Sequence, residues 1–373
     1  MTRQTNTTLR SVSDFFEMTS IVRESPTGQP LGGVGLANEL VAFCRGAFPC
    51  RNNLTISNLV QINGGWECEI YSFILESGEK EQRRQENLIL RLFEGSEAAS
   101  KAKAEFRVMR QLRQVDYPVP WVLVLADKNS PFGKPFVIME RIEGKMLSSI
   151  VHRPSGELEP HLLHLFCKLL ADLHALNWRP AVSDVSRYQP QGLVGCGIAK
   201  TRTLIGQFEV TDYDEVLDWL QARTEAVTLT EPTVVHGDFH PGNVLLRTDG
   251  APFVIDWTGA DISDARFDLG WTLVLIHEFY GPTLRDQVLA EYQRIAGVYM
   301  ENLEIFEVAA ALQRLASLTI LLRKGGEKLG MRPGIETKIM QHLGHVRLTY
   351  ALLCDRTGLS IPAIDSLLQS NAS

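Results

Sequence analysis

Val234-Val235-His236-Gly237-Asp238-Phe239-His240-Pro241-Gly242-Asn243-Val244-Leu245-Leu246 is the stretch that decides the reading of this chain. Apolar residues lead into it and out of it. Its polar centre is therefore a short loop held at both ends by buried strands, a place that fixes a side chain's direction while leaving it wet. Further on, Val254-Ile255-Asp256-Trp257 sets a second carboxylate at the end of another apolar run. A carboxylate, an amide and a second carboxylate in this span are what phosphoryl transfer from a nucleotide needs. One orients the attacking hydroxyl, and two hold magnesium on the phosphates. Asp238 is the candidate for the first task. Asn243 and Asp256 offer hard oxygens, which suit magnesium because it keeps waters and substrate phosphates in its other positions. Two rivals stand beside this reading. Asp and Asn in a Gly-Pro loop are commonly turn formers. His236, Asp238 and His240 also suggest zinc, although no further cluster of His or Cys completes a tetrahedral set.

Working outward, the chain changes period along its length. Residues 1–30 read as a loose polar arm with some helix near 14–18, and Leu36, Leu40, Val41 and Cys44 repeat at helical spacing. Residues 54–62 and 66–76 read as strands around Asn63-Gly64-Gly65, a strong hairpin signal. A third strand follows at 87–93. Ala98, Ala102, Phe106, Met109 and Leu112 then mark a helix with one apolar stripe, and strands at 121–126 and 136–140 follow it. After Ile142-Glu143-Gly144 the text turns helical. Leu162, Leu165, Phe166, Leu169, Leu173 and Leu176 form a long stripe, 212–225 is another helix, and from Phe267 onward nearly everything is helical. Residues 178–207 show no clear pattern and are a candidate acceptor-binding insert. This order predicts an α+β chain of two lobes: residues 1–142 as arm, small antiparallel sheet with one inserted helix, and hinge, and 143–373 as a larger, mostly helical lobe.

Composition narrows the partners. The 373 residues carry 37 Lys and Arg against 44 Asp and Glu, a net charge of −7, and no basic run. A nucleic-acid footprint is not expected. The longest apolar run, 315–322, is too short for a bilayer, and residues 1–20 lack the apolar core of a signal peptide. The six cysteines form no Cys-x-x-Cys pair and read as buried reduced thiols. A cytoplasmic protein is the expectation; the oligomeric state is not legible.

The combination His236-Gly237-Asp238…Asn243 followed by Ile255-Asp256-Trp257 resembles the aminoglycoside phosphotransferase and choline kinase group, which shares the protein-kinase fold. The likeness runs in order over about 62–271. It implies an ATP- and Mg²⁺-dependent kinase that phosphorylates a hydroxyl of a small molecule, an antibiotic or a metabolite. A choline- or ethanolamine-type kinase and a non-catalytic pseudokinase-like module are the alternatives. By this resemblance Asp238 is the catalytic base and Asn243 and Asp256 are the metal ligands. Gly64 and Gly65 lie over the phosphates, while Arg91 grips them and pairs with Glu105. The hinge supplies the carbonyl of Glu140 and the N–H of Ile142 to the adenine edge, with Met139 flanking the base. Asp268 caps the helix that follows and bonds back to the catalytic loop. Trp257, Asp261, Asp264 and Trp271 stand where an acceptor binds, and acidic and aromatic groups there would suit a cation. Asp264-Ala265 departs from the Asp-Pro of many relatives. Protein kinases are set aside because Asp256-Trp257-Thr258 replaces their Asp-Phe-Gly and no Ala-Pro-Glu follows.

Overall fold

A computed structural model describes residues 33–62, 68–79, 83–95, 97–127, 130–151, 158–179, 188, 190–326 and 344–370. The expected helix near 14–18 and the Gly64-Gly65 turn lie outside them.

The first part is a five-stranded antiparallel sheet in the order β1-β2-β3-β5-β4. Its strands are β1 (Thr55–Ile62), β2 (Cys68–Ser77), β3 (Arg84–Phe93), β4 (Val122–Ala126) and β5 (Phe136–Glu140). Helix α1 (Gly33–Ala47) precedes it, and α2 (Ala98–Gln114) is inserted between β3 and β4. β3 is the middle strand, with both its edges paired, and a helix packs on each of its faces. Successive side chains alternate between faces. Leu88, Leu90 and Leu92 join Leu40 and Cys44 of α1 in one apolar cluster. Phe93 joins Ala98, Ala102 and Met109 of α2 in the other. Arg91 shares the Phe93 parity and so faces α2.

The second part is mostly helical. Its helices are α3 (Pro160–His174), α4 (Pro190–Gln207), α5 (Asp214–Thr224), α6 (Ala265–Tyr280), α7 (Pro282–Ala296), α8 (Leu303–Lys324), α9 (Val346–Thr357) and α10 (Pro362–Ser370). Between α5 and α6 run the short strands β7 (Thr233–Val235), β8 (Val244–Arg247), β9 (Pro252–Val254) and β10 (Asp261–Ser263), with β6 (Gly144–Met146) paired to β8. β7 pairs antiparallel with β10, setting Val235 opposite Asp261. The candidate loops are thus bracketed by two small ladders.

One apolar cluster runs from α2 through Trp257 into the helical core. Tyr117 stitches the parts together: its hydroxyl donates to Leu169 O at 3.0 Å, and its ring meets Trp257 edge-on. α8 is apolar nearly all round because neighbours surround it. By length and composition alone it could cross a membrane, and most of it is buried inside the protein. The apolar stretch is therefore longer than the 315–322 run read from sequence. The cysteines also differ from expectation. All six are free, but Cys50 and Cys196 are exposed and Cys354 is half-buried.

Candidate active site

The candidate catalytic loop is shaped by a close approach between glycines. Gly237 has φ +80°, and a Cβ on it would sit 2.4 Å from Gly259 O. Only glycine meets both demands. That contact locks the loop carrying Asp238 against the segment after Asp256. His236 is fully buried beneath it. Its Nε2–H donates to Ile255 O at 3.0 Å, and its Nδ1 accepts the Asp238 N–H at 3.2 Å. Both ring nitrogens are engaged, which removes the zinc reading. Burial lowers the pKa of this ring and keeps it neutral.

Asp238 projects from the loop with its side chain 43% exposed. Its Oδ1 accepts the indole N–H of Trp271 at 2.8 Å. Its Oδ2 has longer contacts, 3.3 Å to Asn243 Nδ2 and 3.6 Å to His240 Nε2. His240 Nδ1 accepts the Gly242 N–H at 3.0 Å, so its proton sits on Nε2, facing the carboxylate. Burial alone would raise the Asp238 pKa. The His240 ring and the Trp271 hydrogen bond outweigh it and hold the carboxyl well below the usual carboxylate range.

Asn243 Nδ2 also donates to Asp238 O at 2.8 Å. Both Nδ2 contacts go to Asp238, so Oδ1 lies on the side of the amide away from it. Val244 pairs with Val254, and the Ile255 N–H donates to Asn243 O at 3.0 Å, so Asn243 stands one residue from Asp256 across the ladder. Asp256 is in the left-handed region, φ 65° and ψ 67°. Asp tolerates this conformation better than most residues, and such outliers cluster at functional sites.

Arg91 links the sheet to this centre. Its Nη1 lies 2.6 Å from Glu105 Oε1 and its Nη2 lies 3.0 Å from Asp256 Oδ1. Glu105 is fully buried and Arg91 is 8% exposed. Burial works against the guanidinium charge, but Cys68, Glu105 and Asp256 outweigh it and keep the pKa raised. The buried Arg91 Nε has no partner among the described residues. A part-exposed carboxylate, an amide oxygen and a buried cation with a spare N–H form a donor set that fits a magnesium-bound polyphosphate.

At the hinge, Met139 and Ile142 are buried. The Glu140 N–H donates to Trp121 O, and the Arg141 N–H to Asn87 O. The Ile142 N–H donates to no described backbone group.

The family model for APH, the phosphotransferase enzyme family, matches residues 58–306. The chain belongs to this phosphotransferase family. Among solved structures, a thermostable mutant of aminoglycoside phosphotransferase APH(4)-Ia, in ternary complex with ADP and hygromycin B, is 18% identical with a TM-score of 0.55. The match covers 86% of this chain and 99% of that one. Choline kinase LicA from Streptococcus pneumoniae is 15% identical with a TM-score of 0.54, covering 85% and 99%. These likenesses establish the α+β protein-kinase-like fold. Acyl-CoA dehydrogenase family member 11 of Pongo abelii is 24% identical over 177 residues, 44% of this chain but only 22% of the relative. The chain thus spans less than a quarter of that protein's length.

The segment after Asp256 departs from the sequence reading at three residues. Trp257 is fully buried, with its indole N–H on Val254 O, and belongs to the core. Asp264 is 2% exposed; it caps α6 through the Arg266 N–H at 2.9 Å and pairs with the Arg266 guanidinium. Asp268 is therefore not the cap, because α6 begins one turn earlier, at Ala265. It does bond back to the catalytic loop. Its oxygens accept the His236 and Gly237 N–H groups at 2.7 and 2.9 Å, and His174 Nε2 lies 3.2 Å away. Asp261 remains near the surface, paired with Lys200 of α4 at 2.7 Å. His174, Lys200 and Trp271 gain their roles only through folding; no local pattern marks them as partners of these carboxylates.

Proposed function

We propose that this chain is an ATP-dependent small-molecule kinase that transfers the γ-phosphoryl group to a hydroxyl of its acceptor. The observation that supports it most is the convergence of Asp238, Asn243 and Asp256 with the Arg91–Glu105 pair. Asp238 is the catalytic residue, accepting a hydrogen bond from the attacking hydroxyl and taking its proton late. A carboxylate held at low pKa is a weak base, which fits orientation and late proton transfer better than early abstraction. Asn243 Oδ1 and Asp256 hold magnesium, which supplies charge neutralisation on the phosphates when bound. Arg91 then exchanges its bond to Asp256 for phosphate oxygens while Glu105 keeps it in place. Ile142 and the hinge take the adenine edge.

Trp257 and Asp264 are committed elsewhere, so the case for a cationic acceptor built on them lapses. The acceptor is proposed only as a small hydroxyl compound. The test is an ATP-consumption screen over aminoglycosides, macrolides, choline, ethanolamine, sugars and amino-alcohols, with Asp238→Ala as control. Magnesium-dependent turnover with one acceptor, lost in Asp238→Ala, is the expected result. Nucleotide binding with no turnover on any acceptor would favour a non-catalytic module instead.

A further inference from the structure

One face of α6 grips four consecutive residues of the catalytic loop. Asp268 takes the backbone N–H groups of His236 and Gly237. Thr272 Oγ1 donates to Phe239 O at 2.8 Å. Between them Trp271, three residues after Asp268 and so on the same helix face, reaches past the backbone to the Asp238 side chain. Its Nε1–H is 2.8 Å from Oδ1. The first two contacts fix the loop's main chain. Only the third fixes the carboxylate itself.

We infer that Trp271 is a positioning residue for the proposed phosphoryl transfer. Its indole N–H occupies Asp238 Oδ1, sets the carboxylate plane, and leaves Oδ2 as the oxygen that meets the acceptor hydroxyl. Two observations support this division of labour. The contacts to Oδ2, at 3.3 and 3.6 Å, are long enough to yield to an incoming donor, whereas the bond to Oδ1 is of full strength. The Asp238 side chain remains 43% exposed, so an oxygen is open to a ligand. Indole is also donor-only. It can hold a carboxylate without competing for the acceptor's proton, which a hydroxyl or imidazole at this position would do. An aspartate side chain turns freely about its terminal torsion unless something holds it, and a misplaced base costs turnover rather than binding.

This inference rests on the kinase reading for its consequence but not for its geometry, and the test separates the two. The chain has six tryptophans, so the indole N–H region of a proton–nitrogen correlation spectrum is sparse. The Trp271 signal is the one lost in Trp271→Phe, or in Trp271→Tyr should that variant fold better. It is expected downfield and should move upfield in Asp238→Ala while the other indole signals stay in place. An unmoved signal overturns the contact whether or not any acceptor is ever found. With an acceptor in hand, Trp271→Phe should lower kcat roughly 10- to 100-fold, the scale of a slightly misplaced reacting group. Acceptor KM and Mg·AMP-PNP affinity should stay near wild type. Retained kcat, or a loss confined to KM, overturns the positioning role.

Discussion

Replacing Arg91 with Met removes one charge from the link between the sheet and the proposed catalytic centre while keeping much of the side-chain bulk. Glu105 is fully buried, and Arg91 Nη1 is 2.6 Å from its carboxylate. Taking away one member of a buried ion pair costs about 3–5 kcal/mol, because the remaining charge is stranded at low dielectric. The bond to Asp256, whose side chain is 39% exposed, adds less, since solvent screens it. Against a total stability of about 5–15 kcal/mol, Arg91→Met should fold but show a clearly lower urea midpoint. Exchanging both partners for apolar side chains is commonly neutral, so Arg91→Met/Glu105→Leu should recover most of the lost stability. Nucleotide affinity should not follow. Losing a hydrogen bond to a charged phosphate costs about 1.5–3 kcal/mol, about 10- to 100-fold in Kd. Titration calorimetry with Mg·AMP-PNP on both variants should show that deficit in each. If the double variant regains affinity along with stability, Arg91 is a structural pair only and the proposed phosphate contact is wrong.

Gly237→Ala should be more damaging than its size suggests. A Cβ 2.4 Å from Gly259 O at φ +80° must push the two loops apart, so turnover should collapse while circular dichroism stays near wild type; normal turnover would contradict the close approach. Asp264→Ala removes a helix cap, worth about 1 kcal/mol, and strands the buried Arg266, so its denaturation midpoint should fall strongly; an unchanged midpoint would return Asp264 to the acceptor site. His236 should leave a mark on stability against pH. Burial lowers its folded pKa below the usual 6.5, so its contribution is complete above that pH and is lost as pH falls through the folded pKa. His236→Gln should therefore lose less stability than wild type between pH 7.5 and 5, and equal slopes would refute the buried neutral ring.

The sheet and the catalytic loop are legible in the sequence because their signals are local. Alternating apolar runs around turn residues fix strands, and the order of β1 to β5 follows from them with ends displaced by a few residues. Strand parity alone turns Arg91 away from Leu90 and Leu92; that α2 covers that side is set by folding. α4 escapes a reading by pattern because Gly192, Gly195, Gly197 and Gly206 interrupt any apolar stripe. The structure explains one of them: a Cβ on Gly197 would lie 2.2 Å from the Phe267 ring. The passing of the cap from Asp268 to Asp264 turns on where α6 starts, and Ala265 in place of proline hides that boundary. Trp271 reads from sequence as part of the acceptor site because its partner lies 33 residues away. Such pairings are set by packing rather than by pattern.

The most direct measurement of the central claim is magnesium-dependent nucleotide binding, by calorimetry, in wild type, Asp238→Ala and Asp256→Ala. Wild type and Asp238→Ala should bind AMP-PNP with magnesium and weaken when it is chelated, whereas Asp256→Ala should bind no better with the ion than without it. Equal magnesium-dependent affinity in Asp256→Ala, or wild-type binding indifferent to chelation, would contradict the assignment of Asn243 and Asp256 as the metal-holding pair beside Asp238.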